Sequence, residues 1–384
     1  MTVLGGGAWG TALAIHAARK GHDTILWARR ESVVDDINTN HVNSTMLPGA
    51  PCPPSLRATT DLHAAIDHGH LVLLVIPSQF LGDTLAPHAA RFRPDQVLIS
   101  CSKGITEREL ETADEVLARV ITSTTTTTSN ATSTESSPPS SPAPSPAPSP
   151  SPSPGLPGEH SGGGGGPPAL AFLSGPSFAA EVARGMPCAV TIASRDEATA
   201  ARVQTALSTP TFRCYRTTDV TGVEMGGALK NVLAIACGIS DGLGYGGNAR
   251  AALITRGLAE TTRLAVARGA DPLTLMGLAG MGDLVLTCTG DLSRNRTVGL
   301  RIGKGEKLEE ILASVHTVAE GVATARSAHA LAQKLGVDCA IMEGIYKVLH
   351  LGADPATVVR EAMTRELKSE VATEVREAQG GTHR

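Results

Sequence analysis

The sequence predicts an α/β unit with a doubly wound, mostly buried parallel sheet, followed by an all-α C-terminal unit. Three observations lead there. A glycine cluster separates a short apolar run at the N-terminus from a helical pattern. Short apolar runs then alternate with helical stretches as far as residue 217. Beyond Asp219 strand-like patterns vanish. Apolar runs of four to six residues with little polar alternation suit strands covered on both faces by helices.

In chain order, Thr2 to Leu4 predicts a first strand, Gly10 to Lys20 a helix, and Thr24 to Ala28 a second strand. Leu71 to Ile76 and Val97 to Cys101 continue the strands, and Glu107 to Val120 reads as a charged amphipathic helix. Residues 122–168 hold 12 of the 24 prolines and an unbroken glycine run, with no Lys, Arg or aromatic residue. Such a stretch has too few apolar side chains to offset the entropy of ordering, so disorder is expected. Ala169 to Leu173, Ala189 to Ala193 and Phe212 to Arg216 resume the strand pattern, so 122–168 reads as an insertion in one domain and not as a linker between two. The expected units are therefore 1–121 with 169–217, and 218–384. In the second, helices are expected over 224–240, 249–268, 308–312, 322–335, 340–349 and 355–376.

Net charge is −4 and only ten residues are aromatic (two Trp, three Tyr, five Phe), which argues against a nucleic-acid partner. Seven widely spaced cysteines without a C-x-x-C pair support neither a disulfide framework nor a metal site. With the glycine cluster beginning four residues after Met1 and no uninterrupted apolar run of about 18 residues, a reduced, cytoplasmic chain without membrane insertion is expected.

Gly5-Gly6-Gly7-Ala8-Trp9-Gly10 fits G-x-G-x-x-G between strand and helix, the fingerprint of a Rossmann-type dinucleotide site. In that reading Gly5 makes the turn, Gly7 admits a pyrophosphate, and Gly10 lets helix and strand approach. Where an NAD-selective site would carry an acid after the second strand, this chain has Arg29-Arg30, which suits the 2′-phosphate of NADP. NADP(H) is thus the preferred cofactor and NAD(H) the alternative. Lys230, among small and apolar neighbours, is placed where desolvation favours proton transfer, and Asp283 in Gly282-Asp283-Leu284 is a glycine-framed acid able to orient it. Ser293-Arg294-Asn295-Arg296 reads as an oxyanion clamp, and Ser102-Lys103-Gly104 lies at the carboxyl end of a strand, where ligands of open α/β sheets bind.

The segment Gly227 to Ala252, with Lys230-Asn231 and Ser240 to Asn248, resembles the signature of NAD(P)-dependent glycerol-3-phosphate dehydrogenases of the bacterial and plastid type. Similarity extends to Gly5 to Thr11, Ser102 to Gly104, Ser174 to Ala179, Gly280 to Cys288, Ser293 to Asn295 and Ala319 to Gly321. The resemblance implies reversible hydride transfer between dihydroxyacetone phosphate and sn-glycerol 3-phosphate, supplying phospholipid synthesis, and leaves room for a homodimer. It implies Lys230 as general acid and base, with Lys103, Gly175, Ser177, Asp283, Ser293, Arg294 and Asn295 on the substrate. Trp9, Arg29, Lys103, Ala179, Arg294, Val318 and Glu320 would line the cofactor. Two other readings are a related hydroxyacid or phosphogluconate-type dehydrogenase and a non-catalytic dinucleotide sensor.

Overall fold

In a computed structural model of the chain, the residues described are 1–129, 166–314, 319–367 and 369–370. The expectation for 130–165 and the site assignment of Val318 lie outside them. Among the described residues eight strands are formed: β1 (Thr2–Leu4), β2 (Thr24–Trp27), β3 (Leu56–Thr59), β4 (Leu71–Leu74), β5 (Val97–Ser100), β6 (Ala169–Ser174), β7 (Cys188–Ala193) and β8 (Phe212–Thr217). They make one sheet in the order β3-β2-β1-β4-β5-β6-β7-β8. The helices packed on it are α1 (Ala8–Arg19), α2 (Glu31–Asp35), α3 (Leu62–His68), α4 (Ser78–Leu85), α5 (Ala113–Ser129), α6 (Ala179–Ala183) and α7 (Glu197–Leu207).

The sheet differs from the expected parallel one at a single step. β6 and β7 pair antiparallel, with Phe172 opposite Ala193, and β8 then runs parallel to β7. Strand direction depends on how the connecting loop returns, which a run of apolar residues does not encode. β3 was not expected because Leu56-Arg57-Ala58-Thr59 is short and half polar. α5 also departs from the expected bounds, starting at Ala113 and running to Ser129 through the Thr tract. Thr is only a moderately poor helix former, so an established helix continues into it. β5 pairs in parallel with β6, Val97 opposite Ala169, so the sheet does continue across the sequence between them.

Apolar side chains fill both faces. Leu13, Leu26, Leu73, Ile99 and Leu173 belong to one buried cluster, and Leu4, Leu74, Leu81, Leu98 and Leu117 to the other. The C-terminal half consists of α8 (Val220–Gly242), α9 (Gly247–Val266), α10 (Pro272–Leu275), α11 (Asp283–Thr289), α12 (Arg294–Gly303), α13 (Leu308–Ser314), α14 (Glu320–Leu335), α15 (Ala340–Leu351) and α16 (Pro355–Met363). α16 ends well short of the expected Arg376, at a turn around Thr364 whose amide bonds to Arg360 and Glu361 carbonyls. α10 to α12 were not expected as helices, being short.

α8 is the axis of this half, with its residues from Met225 through Ser240 all buried. Val220–Gly242 and Pro272–Thr289 are long and apolar enough to cross a membrane, so the expectation that no such stretch exists holds only for uninterrupted runs. The apolar window of Val220–Gly242 is 94% buried inside the protein, as a core helix would be.

α8 and α12 meet backbone to backbone through glycines spaced four apart on each helix. A Cβ on Gly238 would lie 2.1 Å from the Arg296 carbonyl oxygen, and one on Gly242 2.4 Å from that of Leu300. Across the contact, a Cβ on Gly299 would lie 2.1 Å from the Ile235 oxygen, and one on Gly303 2.4 Å from that of Ile239. No side-chain rotation relieves a clash with backbone, so the helices must separate. Gly299→Ala is therefore expected to destabilise the protein by about 1–3 kcal/mol or more, as overpacking does. Thermal melting checks this, with Gly246→Ala, where a Cβ meets nothing within 4 Å, expected to melt like the parent.

Candidate active site

The carboxyl ends of β1, β4, β5 and β6 form one edge of the sheet, and the loops leaving that edge carry the glycine cluster, Lys103 and Gly175. Gly5 has φ +136°, a conformation that side chains rarely adopt, and its added Cβ would strike the Val75 carbonyl at 2.3 Å. A Cβ on Gly10 would lie 1.8 Å from the Gly5 carbonyl oxygen, so α1 seats directly on the turn. Gly7 differs, since a Cβ there would meet nothing within 4 Å. It is the N-cap of α1 with no side chain capping the helix, and the first helical amide bond is Thr11 N–H to the Gly7 carbonyl. No side chain therefore caps the first turn of α1, and among the described residues the Trp9 indole Nε1 is buried without a partner. A helix N-terminus of this form suits a pyrophosphate, so the residues present fit a dinucleotide.

Arg29 and Arg30 leave the end of β2, both exposed, and neither guanidinium makes a hydrogen bond or ion pair among the described residues. Arg30 is the N-cap residue of α2. Ala179 opens α6 and packs on the same core cluster as Ala8 and Trp9.

Three segments far apart in sequence meet at Asp283. Its Oδ1 accepts from the Lys230 ammonium of α8 at 2.5 Å, and its Oδ2 from the Lys103 ammonium of the β5 loop at 2.7 Å. Lys230 also donates to the Thr287 hydroxyl at 2.9 Å, while Thr287 donates to the Asp283 carbonyl one turn back. Lys103 donates further to the Gly175 carbonyl at 3.2 Å, an oxygen that also accepts from the Ser177 hydroxyl. Side-chain exposure is 1% for Asp283, 10% for Lys230 and 14% for Lys103. Gly226 permits this meeting, since its added Cβ would lie 2.7 Å from the Ala279 carbonyl oxygen just before α11.

Burial pushes the Lys230 ammonium down to about 8 even though Asp283 opposes the shift. Burial alone would raise the Asp283 carboxyl, but Lys103 and Lys230 outweigh it and hold the group below the ordinary carboxylate value. Burial likewise raises Glu320 at the start of α14, against the attraction of Arg294, Lys103 and Lys230. Three cations, Lys103, Lys230 and Arg294, therefore share a neighbourhood with two acids, one of them biased toward its neutral form. The surplus is positive, and an anion would balance it.

The Ser293 to Arg296 segment is not a uniform clamp. Ser293 is the N-cap of α12, its hydroxyl accepting from the Arg296 amide. The Arg296 guanidinium is bound to Asp241 and Asp291. Asn295 is buried, donating to Asn231 Oδ1 at 2.9 Å and accepting from the Gly321 amide at 3.0 Å. Arg294 alone of the four is exposed, with its guanidinium unbonded among the described residues. Sequence reasoning missed Thr287 and the bridging role of Asn231. The one signal available for Thr287 is its spacing of four from Asp283, which places both on one helix face.

Family models match nearly the whole chain. That for the NAD-dependent glycerol-3-phosphate dehydrogenase N-terminus matches residues 1–130 and 164–200, and that for the C-terminus of the same enzymes matches 219–360. A glycerol-3-phosphate dehydrogenase [NAD(P)+] of Desulfovibrio desulfuricans is 47% identical over 96% of this chain and 98% of its own. The enzyme of the same name from Geobacter sulfurreducens is 48% identical over 96% and 98%. The crystal structure of glycerol-3-phosphate dehydrogenase from Coxiella burnetii superposes with a TM-score of 0.80 at 35% identity, covering 94% of this chain and 98% of that one. The Asp283 cluster thus sits in a chain that belongs to the NAD-dependent glycerol-3-phosphate dehydrogenase family.

Proposed function

We propose that the protein interconverts dihydroxyacetone phosphate and sn-glycerol 3-phosphate with NAD(P)H. The observation that supports this best is the buried Lys230 ammonium, held by Asp283 beside a surplus of positive charge in a chain of this family. The bound nicotinamide supplies the hydride that reaches C2 of the ketone. Lys230 gives its proton to the oxygen that becomes an alkoxide, and Asp283 with Thr287 fixes the direction of the ammonium. Arg294 pairs with the substrate phosphate, assisted by Ser293, Asn295, Lys103, Gly175 and Ser177.

Gly5, Gly7, Trp9 and Gly10, with Lys103, Ala179, Arg294 and Glu320, would hold the cofactor, and Arg29 and Arg30 would meet the 2′-phosphate of NADP(H). In this reading residues 1–121 and 169–217 form the dinucleotide-binding domain, 122–168 an insertion, and 218–384 the substrate domain. The enzyme acts in the cytoplasm as a homodimer and supplies glycerol phosphate for phospholipid synthesis. Oxidation of NADPH on addition of dihydroxyacetone phosphate, followed by absorbance, tests the reading; the absence of turnover would overturn it.

Lys230→Ala is expected to lower turnover by about 10²- to 10⁴-fold while NADPH still binds, as for loss of a positioned proton donor. Steady-state rates beside a cofactor titration check both halves. The donor is the charged lysine, so ketone reduction should be level at low pH and fall as pH rises through about 8. Alcohol oxidation needs the neutral amine and should rise across the same window, which pH profiles in the two directions will reveal. Arg294→Ala is expected to weaken phosphorylated substrates by about 1.5–3 kcal/mol in kcat/KM, the magnitude of a charge-assisted contact. Unphosphorylated dihydroxyacetone should be nearly unaffected, and equal losses on both substrates would place Arg294 elsewhere.

A further inference from the structure

Beside the Lys103 stem lies a small cavity of about 10 Å³, its wall made by Ser102, Lys103, Ser174, Glu224 and Gly227 together with apolar residues such as Phe172. That volume admits one water molecule, for which about one probe sphere suffices. Ser174, the last residue of β6, is buried, and its hydroxyl has no hydrogen-bond partner among the described residues. The cavity exists because position 227 is glycine: a Cβ there would stand 2.7 Å from Ser174 Oγ and 3.6 Å from Lys103 Cγ. A buried hydroxyl without a partner is unfavourable, and a cavity beside it with a second polar group in its wall is where a water restores the bond.

Glu224 supplies the other polar wall. Its Oε1 accepts from the Asp114 amide at 3.0 Å. The charged groups facing it are Asp114 and Glu115 of α5, Lys103 across the cavity, Arg195 bound to Asp114, and Arg268 bound to Glu115. Each neighbouring acid has its own arginine, whereas no cation pairs with Glu224 among the described residues. Burial pushes the Glu224 carboxyl up to about 8, with the charge of Asp114 adding to the effect. At neutral pH the group therefore carries an O–H able to donate.

We propose that this cavity binds one ordered water, bonded to Ser174 Oγ and the Glu224 carboxyl group, and that through it Glu224 is a positioning residue for Lys103. The water fills the space beside the lysine stem, so the stem cannot sink toward α8 and the ammonium stays extended to Asp283 and the Gly175 carbonyl. The assignment to catalysis rests on the reading above, while the water itself does not.

A high-resolution crystal structure of the full chain should show one density peak within hydrogen-bond distance of Ser174 Oγ and a Glu224 oxygen, lost in Ser174→Ala. That variant should melt about 2 °C lower, the shift expected for one lost bond in a protein of this size. Its KM for dihydroxyacetone phosphate should rise about 3- to 10-fold with kcat little changed, matching roughly one hydrogen bond's worth of positioning. Glu224→Gln, which keeps a donor in place, should behave like the parent, and Glu224→Leu like Ser174→Ala. Gly227→Ala, whose methyl group occupies the cavity, should expel the water. An empty cavity would overturn the proposal. So would a Ser174→Ala variant that melts higher with unchanged KM, the result for a hydroxyl that had no partner to lose. An enzyme inactive on this substrate would defeat the functional reading while leaving the density and melting results decisive for the water.

Discussion

One carboxylate between two ammonium groups organises this molecule. Asp283 could not stay ionised at 1% exposure without them, because an unpaired buried charge is unfavourable by several kcal/mol. Its partners come from the sheet edge and from the axis of the helical half, so satisfying Asp283 requires β5, α8 and α11 to keep their relative placement. The pairing leaves one positive charge over. In a water-poor site that charge is a standing attraction for an anionic ligand, while burial, opposed by Asp283, brings the Lys230 ammonium down to about 8.

The electrostatic arrangement depends in turn on backbone approach. Gly226 allows the strand of residues before α11 to lie on α8, and Gly299 with Gly303 presses α12 against it. The starts of α12 and α14 are then locked together by Asn295, which bonds to the Gly321 amide and to Asn231. Two helix N-termini, each carrying partial positive charge, are brought beside the lysines, which strengthens the preference for an anion. Bulky side chains would have built a better core by area and a poorer site.

Much of this was legible in the sequence because it is local. The apolar runs of β1, β4, β5 and β6 mark buried strands by composition, and Gly5 and Gly10 record a turn and a helix seat that only glycine can make. The lysine at 230 and the acid at 283 were legible as candidates, through their small neighbours and through a family resemblance. What could not be read is whatever depends on encounter between distant segments. Nothing in Ser174 or Glu224 announces a shared cavity, the reversal of β7 leaves no trace in its residues, and Arg296 is held by Asp241, which only the fold brings near.

The pairing of β5 with β6 has a consequence for how the chain tolerates growth. β5 climbs to the edge that carries Lys103, α5 returns along the sheet, and β6 restarts at Ala169 beside Val97, at the opposite edge. The two described ends flanking residues 130–165 therefore open on the side of the sheet remote from the lysines, separated from them by the length of the strands. A junction placed at those two ends is set apart from the lysine cluster by the whole length of the strands.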